Sequence, residues 1–319
     1  MVSSISSKGV VVQLTDNQQD RARGVLLGTA AGDALGAGYE FGYPSPETPI
    51  AMVGGGTFDW APGEWTDDTS MALCVARALE SGGDIDEIAD NFRAWFAQNP
   101  PDVGNQTRAV LSQATSSGAD MAAAAASLPG RTGGNGSLMR TAPVALAYLD
   151  DPAGCRAAAA RISDLTHADP RAGEACQLWT HAIRYAVLHG TYDGVSEFLD
   201  EADADVRAFW QPLIQLAQAG EPSDFPRNGW VVHALQTAWW AIHRCRDEKR
   251  PLPAALELCV RAGGDTDTTA AIAGGLLGAR WGASAVPQDW RDIVHGYPGL
   301  RAEDLDRITT NIIAAKELS

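Results

Sequence analysis

Two acidic runs carry the residue types best suited to chemistry in this chain, Thr66-Asp67-Asp68-Thr69 and Asp265-Thr266-Asp267-Thr268-Thr269. Each follows a loop, at Trp65 or at Gly263-Gly264, and each opens a helix-like apolar stretch. Carboxylates and threonine hydroxyls are hard oxygen donors. That set suits Mg²⁺, Mn²⁺ or Ca²⁺ and does not suit zinc or copper. If the runs converge, Asp67, Asp68, Asp265 and Asp267 share a small volume, and like charges that close stay ionised only with cations between them. Bound divalent metal, and more than one ion, is the chemistry they point to. Asp and Thr are also favoured helix N-caps. A cap needs one side chain, whereas each run offers two aspartates and at least two threonines.

The elements that must position these runs are helical. After Asp68 the positions Met71, Cys74, Val75, Ala78 and Leu79 form one apolar stripe at helical spacing. Asp84 with Glu87 reads as a capping box ahead of Ile85, Ile88, Phe92 and Trp95. Asp151-Pro152 opens a helix towards Leu165, and Ala175 to Val187 forms another that closes at Gly190. Val231 to Arg244, Leu252 to Ala262 and Glu303 to Lys316 read the same way. Gly9 to Leu14 is the one β-like alternation. Gly24, Gly28, Gly32 and Gly36 recur every fourth residue, as do Gly274, Gly278 and Gly282. Glycine in a helix costs up to about 1 kcal/mol relative to alanine. A bare ridge of this kind predicts close approach of another helix backbone. Such packing would bring Asp33 and the run at Asp265 into one tight layer.

Smaller clusters lie between these helices. Asp102-Val103-Gly104-Asn105 follows the rigid Pro100-Pro101 turn, with Asn105 as a plausible N-cap and Asp102 left over. Thr132-Gly133-Gly134-Asn135-Gly136-Ser137 is a polar loop opening a helix at Leu138. Bare backbone N–H groups there can hold an anion such as phosphate, although such glycine runs are also ordinary turns. His167 ends a helix, and Glu40 stands beside Phe41. No GxSxG nucleophile elbow occurs, and no cysteine has a catalytic-looking context.

Composition bounds the function. The chain has 319 residues, 45% hydrophobic and 20% charged, and a formal net charge of −16. This balance argues against non-specific nucleic-acid binding, which needs clustered Lys and Arg. Cys74, Cys155, Cys176, Cys245 and Cys259 are scattered with no CxxC, as buried thiols of a reducing compartment would be. No apolar run reaches membrane-spanning length. The expectation is an all-α protein: a frayed tail at residues 1–20, then a single compact multi-helix domain over 21–319. A cytoplasmic monomer that does not bind membranes is the expected form.

Taken in order, several segments resemble the motifs of the ADP-ribosylglycohydrolase family. They are Gly28 to Gly36, Glu40-Phe41, Trp65 to Thr69, Asp102 to Asn105, Gly134 to Arg140, Thr166-His167 and Gly263 to Thr269. The resemblance spans roughly residues 20 to 285. It implies an all-α domain with a central dinuclear metal cleft holding two Mg²⁺ or Mn²⁺ ions, and hydrolysis of the bond between ADP-ribose and an amino-acid side chain. By that resemblance Thr66, Asp67, Asp68, Asp265, Asp267 and Thr268 match metal ligands, with Asp267 bridging both ions. Glu40 matches an acid that coordinates or gates one metal and has a candidate catalytic role beside Asp67 and Asp102. Asp102, Gly104 and Asn105 match a loop at the ribose and scissile bond. Gly134, Asn135, Gly136, Ser137 and Met139 match the part that holds the phosphates, and His167 a residue near the ADP moiety.

The loop motifs look most like the bacterial branch that frees arginine side chains, typified by the dinitrogenase-reductase-activating enzyme. Leu138 departs from that branch, which has a small residue there, and residues 191–230 match nothing in it. The implied substrate is an ADP-ribosylated protein or a small ADP-ribosylated molecule. Serine, nucleic-acid or small-molecule acceptors stay open, as does a non-catalytic use of the fold. A retired site, however, need not keep a costly cluster of negative charge. A metal-free pair of carboxylates would suggest an ordinary glycosidase; the threonines and surplus aspartates argue against it.

Overall fold

Thr15 starts the first helix. Its side chain accepts from the Gln18 backbone N–H, and the Gln18 side chain accepts from the Thr15 N–H. This reciprocal box satisfies two helix-end donors at once. The helix therefore begins at Asp16, inside the stretch expected to fray. The computed structural model describes residues 14–317. The β-like run at Gly9 lies outside them except for Leu14, which precedes the helix and is irregular.

Among the described residues the chain forms helices α1 (Asp16–Gly36), α2 (Asp67–Glu80), α3 (Ile85–Phe96), α4 (Asn105–Leu111) and α5 (Gly118–Ala126). There follow α6 (Val144–Ala147), α7 (Pro152–Asp164), α8 (Pro170–His189), α9 (Gly194–Glu201) and α10 (Ala204–Ala219). The last are α11 (Val231–Arg244), α12 (Pro251–Ala262), α13 (Thr266–Trp281), α14 (Gln288–Ile293) and α15 (Ala302–Glu317). The only named strands there, β1 (His295–Gly296) and β2 (Leu300–Arg301), pair antiparallel, with His295 opposite Arg301. The fold is one compact all-α domain.

At its centre α1 and α13 run antiparallel in near backbone contact. A Cβ on Gly24 would fall 2.2 Å from the carbonyl oxygen of Gly278, and one on Gly28 would fall 2.2 Å from that of Gly274. The contact continues through Gly32 at Ala270 to Gly36 at Asp267. The four-residue glycine spacing thus builds the ridge that the partner backbone fills. From Val25 to Gly36 every residue of α1 is buried, as expected for a helix that is apolar all round. Around this pair the other helices bury single stripes. In α3 these are Ile88, Ala89, Phe92 and Trp95. Truncating Phe92 or Trp95 to alanine should cost about 3–5 kcal/mol.

Two local expectations are corrected. Leu138 begins only a 3₁₀ turn, Leu138–Arg140, because Pro143 follows and would break a continuous helix. Asn105 is the first residue inside α4; Gly104 holds the cap position, with no side-chain cap bond.

Candidate active site

Both acidic runs sit at helix starts. The Thr66 hydroxyl accepts from the Asp68 N–H at 3.4 Å, and Asp67 and Asp68 form the first turn of α2. Asp265 precedes α13, whose first turn holds Asp267. The glycine contact carries α13 to the end of α1, where Asp33 is fully buried. Asp33 accepts from the Thr66 N–H at 2.9 Å through one oxygen. Its other oxygen accepts from the Thr69 N–H at 2.9 Å and the Thr69 hydroxyl at 2.6 Å. Asp33 thus ties α1 to α2 through three hydrogen bonds, while the glycines seat α1 on α13. The two runs then meet directly, the Thr268 hydroxyl donating to Asp68 at 3.3 Å.

Two carboxylate groups result, Asp33–Asp68–Asp267 and Glu40–Asp265–Asp267, each with oxygens within 4.8 Å of one another. Asp267 belongs to both. Either group could hold a metal ion. Each also contains a buried carboxylate oxygen with no hydrogen-bond partner among the described residues, Asp68 Oδ1 in one and Glu40 Oε2 in the other. A buried anionic oxygen without a donor is costly, and hard cations fit such donors. Burial raises the pKa of Asp67, Asp68 and Asp267 well above the ordinary value, and neighbouring carboxylates raise them further. Burial, then Asp102 and Asp265, lifts Glu40 to about 9. Burial lifts Asp33 and Asp102 to about 6 each.

Over these groups opens a cleft of about 500 Å³. Glu40, Asp67, Asp102, Gly104, Asn105, Gly134, Asn135, Gly136, Met139, His167, Asp265, Asp267 and Thr268 all line it, so most of the residues singled out in the sequence converge. Thr66 and Asp68 lie beneath, buried. Ser137 is the departure. It is fully buried, and its hydroxyl is engaged by Ser163 at 2.9 Å and by the Cys176 thiol at 3.5 Å, away from the cleft. The Asn135 amide is engaged at the cleft wall, donating to Asp265 at 2.7 Å and to the Asn228 carbonyl at 2.9 Å. His167 is buried with Nδ1 2.7 Å from the Thr166 hydroxyl. Burial, then the nearby Arg140 guanidinium, hold its pKa well below the ordinary value, so it is neutral. Gly136 packs closely on this ring: a Cβ there would stand 3.0 Å from the imidazole, which would have to give way.

Three site residues escaped the sequence analysis as site members. Asp33 belongs to the central layer that the glycine spacing predicts, and its place at the end of that ridge is its one signal in the sequence. Gln106 donates to the carbonyls of Thr132 and Thr166 at 2.8 and 2.9 Å, tying the glycine loop to the His167 turn. Asn228, in the stretch that matched nothing, accepts from the Asp265 N–H at 3.1 Å and donates to the Gly263 carbonyl at 2.8 Å. Neither had a local signature.

Comparison with known proteins adds independent findings. The sequence profile of the ADP-ribosylglycohydrolase family matches residues 14–318. An ADP-ribosylarginine hydrolase, Tri1, of Pseudomonas putida is 34% identical over 285 residues, covering 85% of this chain and 73% of that protein. The ADP-ribosyl-[dinitrogen reductase] glycohydrolase of Rhodospirillum rubrum is 32% identical, covering 85% and 89%. A solved structure described as an ADP-ribosylglycohydrolase-related protein complex superposes with a TM-score of 0.76 at 30% identity, covering 95% of this chain.

Proposed function

Because this chain belongs to the ADP-ribosylglycohydrolase family, we propose that it hydrolyses the N-glycosidic bond joining ADP-ribose to arginine side chains, using two Mg²⁺ or Mn²⁺ ions. The observation that carries the reading is Asp267, shared by two carboxylate groups beneath one cleft. Similarity to proteins named for ADP-ribosylarginine and for ADP-ribosylated dinitrogen reductase supports the arginine acceptor.

In this reading Thr66, Asp67, Asp68, Asp265, Asp267 and Thr268, joined by Asp33 and Glu40, hold the ions. Bound there, the metals would fix ribose hydroxyls and acidify a water. The chain's own residues do the remainder. The Gly134–Met139 loop and neutral His167 receive the diphosphate, the loop through the Gly136 and Ser137 N–H groups, since those of Gly134, Asn135, Leu138 and Met139 already bond within the protein. Asp102, Gly104 and Asn105 flank the ribose. Bond cleavage at the anomeric carbon develops positive charge, and Asp67, Asp102 and Glu40 are the cleft carboxylates that can stabilise it or move a proton. Asp102 lines the cleft outside both carboxylate groups, where its carboxyl is free of the ions and able to move a proton.

The substrate is an ADP-ribosylated protein or small molecule met by a monomeric cytoplasmic enzyme. Among the described residues no helix is long and apolar enough to cross a membrane. The deciding experiment measures ADP-ribose release from matched arginine-, serine- and nucleic-acid-linked substrates. Arginine-linked substrate should have the highest kcat/KM. Equal or serine-favouring values would overturn the arginine assignment and leave the family reading.

A further inference from the structure

Phe41, next to Glu40, has no role in the scheme above, yet its placement is unusual twice over. Its side chain is large and apolar but 63% exposed. Its backbone is left-handed, with φ 62°, an outlier for a bulky residue. The conformation is held by pairing with the loop before Asp265: the Phe41 N–H donates to the Gly264 carbonyl at 2.7 Å, and the Gly264 N–H to that of Gly42 at 3.0 Å. The Tyr43 ring lies so close to Gly263 that a Cβ there would fall 2.2 Å from it. Backbone strain of this kind persists only where its surroundings over-determine it, and it motivates a functional reading.

The strained residue lines the cleft. Phe41 and Phe58 are the two phenyl rings among the lining residues, in company with the carboxylates of Glu40 and Asp102. Phenyl faces beside carboxylates fit a flat, delocalised cation. A guanidinium can stack on a ring while its N–H groups meet an acid, and it sheds water more readily than an ammonium. A neutral acceptor gains nothing from this pairing.

We propose that Phe41, aided by Phe58, is the acceptor wall of the cleft, stacking on the guanidinium of ADP-ribosylated arginine and so selecting arginine over uncharged acceptors. The inference rests on the arginine reading above and deepens it by naming the residues that make the choice. Phe41 touches the acceptor and leaves ADP-ribose to the loops.

The test compares wild type, Phe41→Leu and Phe41→Tyr on arginine- and serine-linked ADP-ribosyl peptides, with the affinity for free ADP-ribose measured by calorimetry. Leucine keeps apolar bulk under the same backbone constraint, and tyrosine keeps the aromatic face. Phe41→Leu should lower kcat/KM for the arginine peptide about 3- to 30-fold, chiefly through KM. Its affinity for free ADP-ribose should stay within about twofold, which also reports a folded site, and Phe41→Tyr should recover most of the loss. Phe58→Leu, with a smaller effect in the same direction, is the second variant should Phe41→Leu fail to fold. Unchanged arginine kinetics would overturn the proposal. A matching loss of ADP-ribose affinity would overturn it too, since the ring would then stack on the nucleotide. A wild-type protein that ignores the arginine peptide while cleaving the serine one refutes the arginine reading itself, an outcome read before any variant is made.

Discussion

A methyl group on Gly36 would stand 2.4 Å from the backbone nitrogen of Asp267. The last turn of α1 is therefore the surface against which the first turn of α13 is set, and Asp267 is the side chain common to both carboxylate groups. Gly36→Ala should push α13 away. We expect destabilisation on the order of 1–3 kcal/mol together with weakened Mn²⁺ binding, read by thermal melting and by Mn²⁺ titration. A variant that melts and binds Mn²⁺ like wild type would refute this positioning role.

Asp267→Ala should cost more activity than Asp102→Ala. The first removes a carboxylate shared by two groups; the second removes a cleft side chain outside both. A loss of several hundredfold or more in kcat, with loss of bound metal, is expected for Asp267→Ala, on the order of 4 kcal/mol in transition-state stabilisation. Asp102→Ala should keep its metal. Metal content by elemental analysis beside kcat decides the matter, and an active Asp267→Ala protein with two ions would refute the ligand assignment.

Exhaustive chelation should abolish turnover and lower the melting temperature, because ligands that bind only the folded state stabilise it. Restoring Mg²⁺ or Mn²⁺ should return both. Full activity after chelation would exclude the metal-dependent reading.

The metal-free protein should lose stability as pH rises. A carboxyl whose pKa is raised by folding binds more protons folded than unfolded, so its contribution is greatest below its unfolded pKa and is lost as pH climbs through the folded one. For Asp33 and Asp102 the window runs from an ordinary 3.8 to about 6. For Glu40 it runs from 4.5 to about 9. Melting of chelated protein between about pH 5 and about pH 9 should show a falling Tm, and saturating Mn²⁺ should flatten the trend by neutralising the cluster. Parallel curves with and without metal would count against a cation-filled cluster.

Much of the helical frame could be read from periodicity and caps, since those signals are local: Asp84, Asp151 and Gly190 stand at the helix ends the residues predicted. Leu138 misled because one proline five residues on outweighs the helical look of its neighbours. The direction of the Ser137 hydroxyl could not be read from the sequence, since it depends on Ser163 and Cys176, which come from distant helices. Asn228 and Gln106 could not be found at all, because an isolated amide carries no pattern until its partners surround it.

What the sequence determined by itself was the chemistry on offer: hard oxygen donors in two runs, a glycine-rich loop, and two glycine ridges spaced for close helix contact. These follow from residue type and spacing along a single helix or loop. The spacing already put Asp33 and the Asp265 run in one layer; only the tertiary structure decided the register, Gly28 against Gly274 and Gly36 against Asp267. That pairing puts Asp33 under α2 and makes Asp267 common to both carboxylate groups. The physical reason is that a shared ligand is a relation between three helices, and its energy appears only when burial forces their charges into one volume.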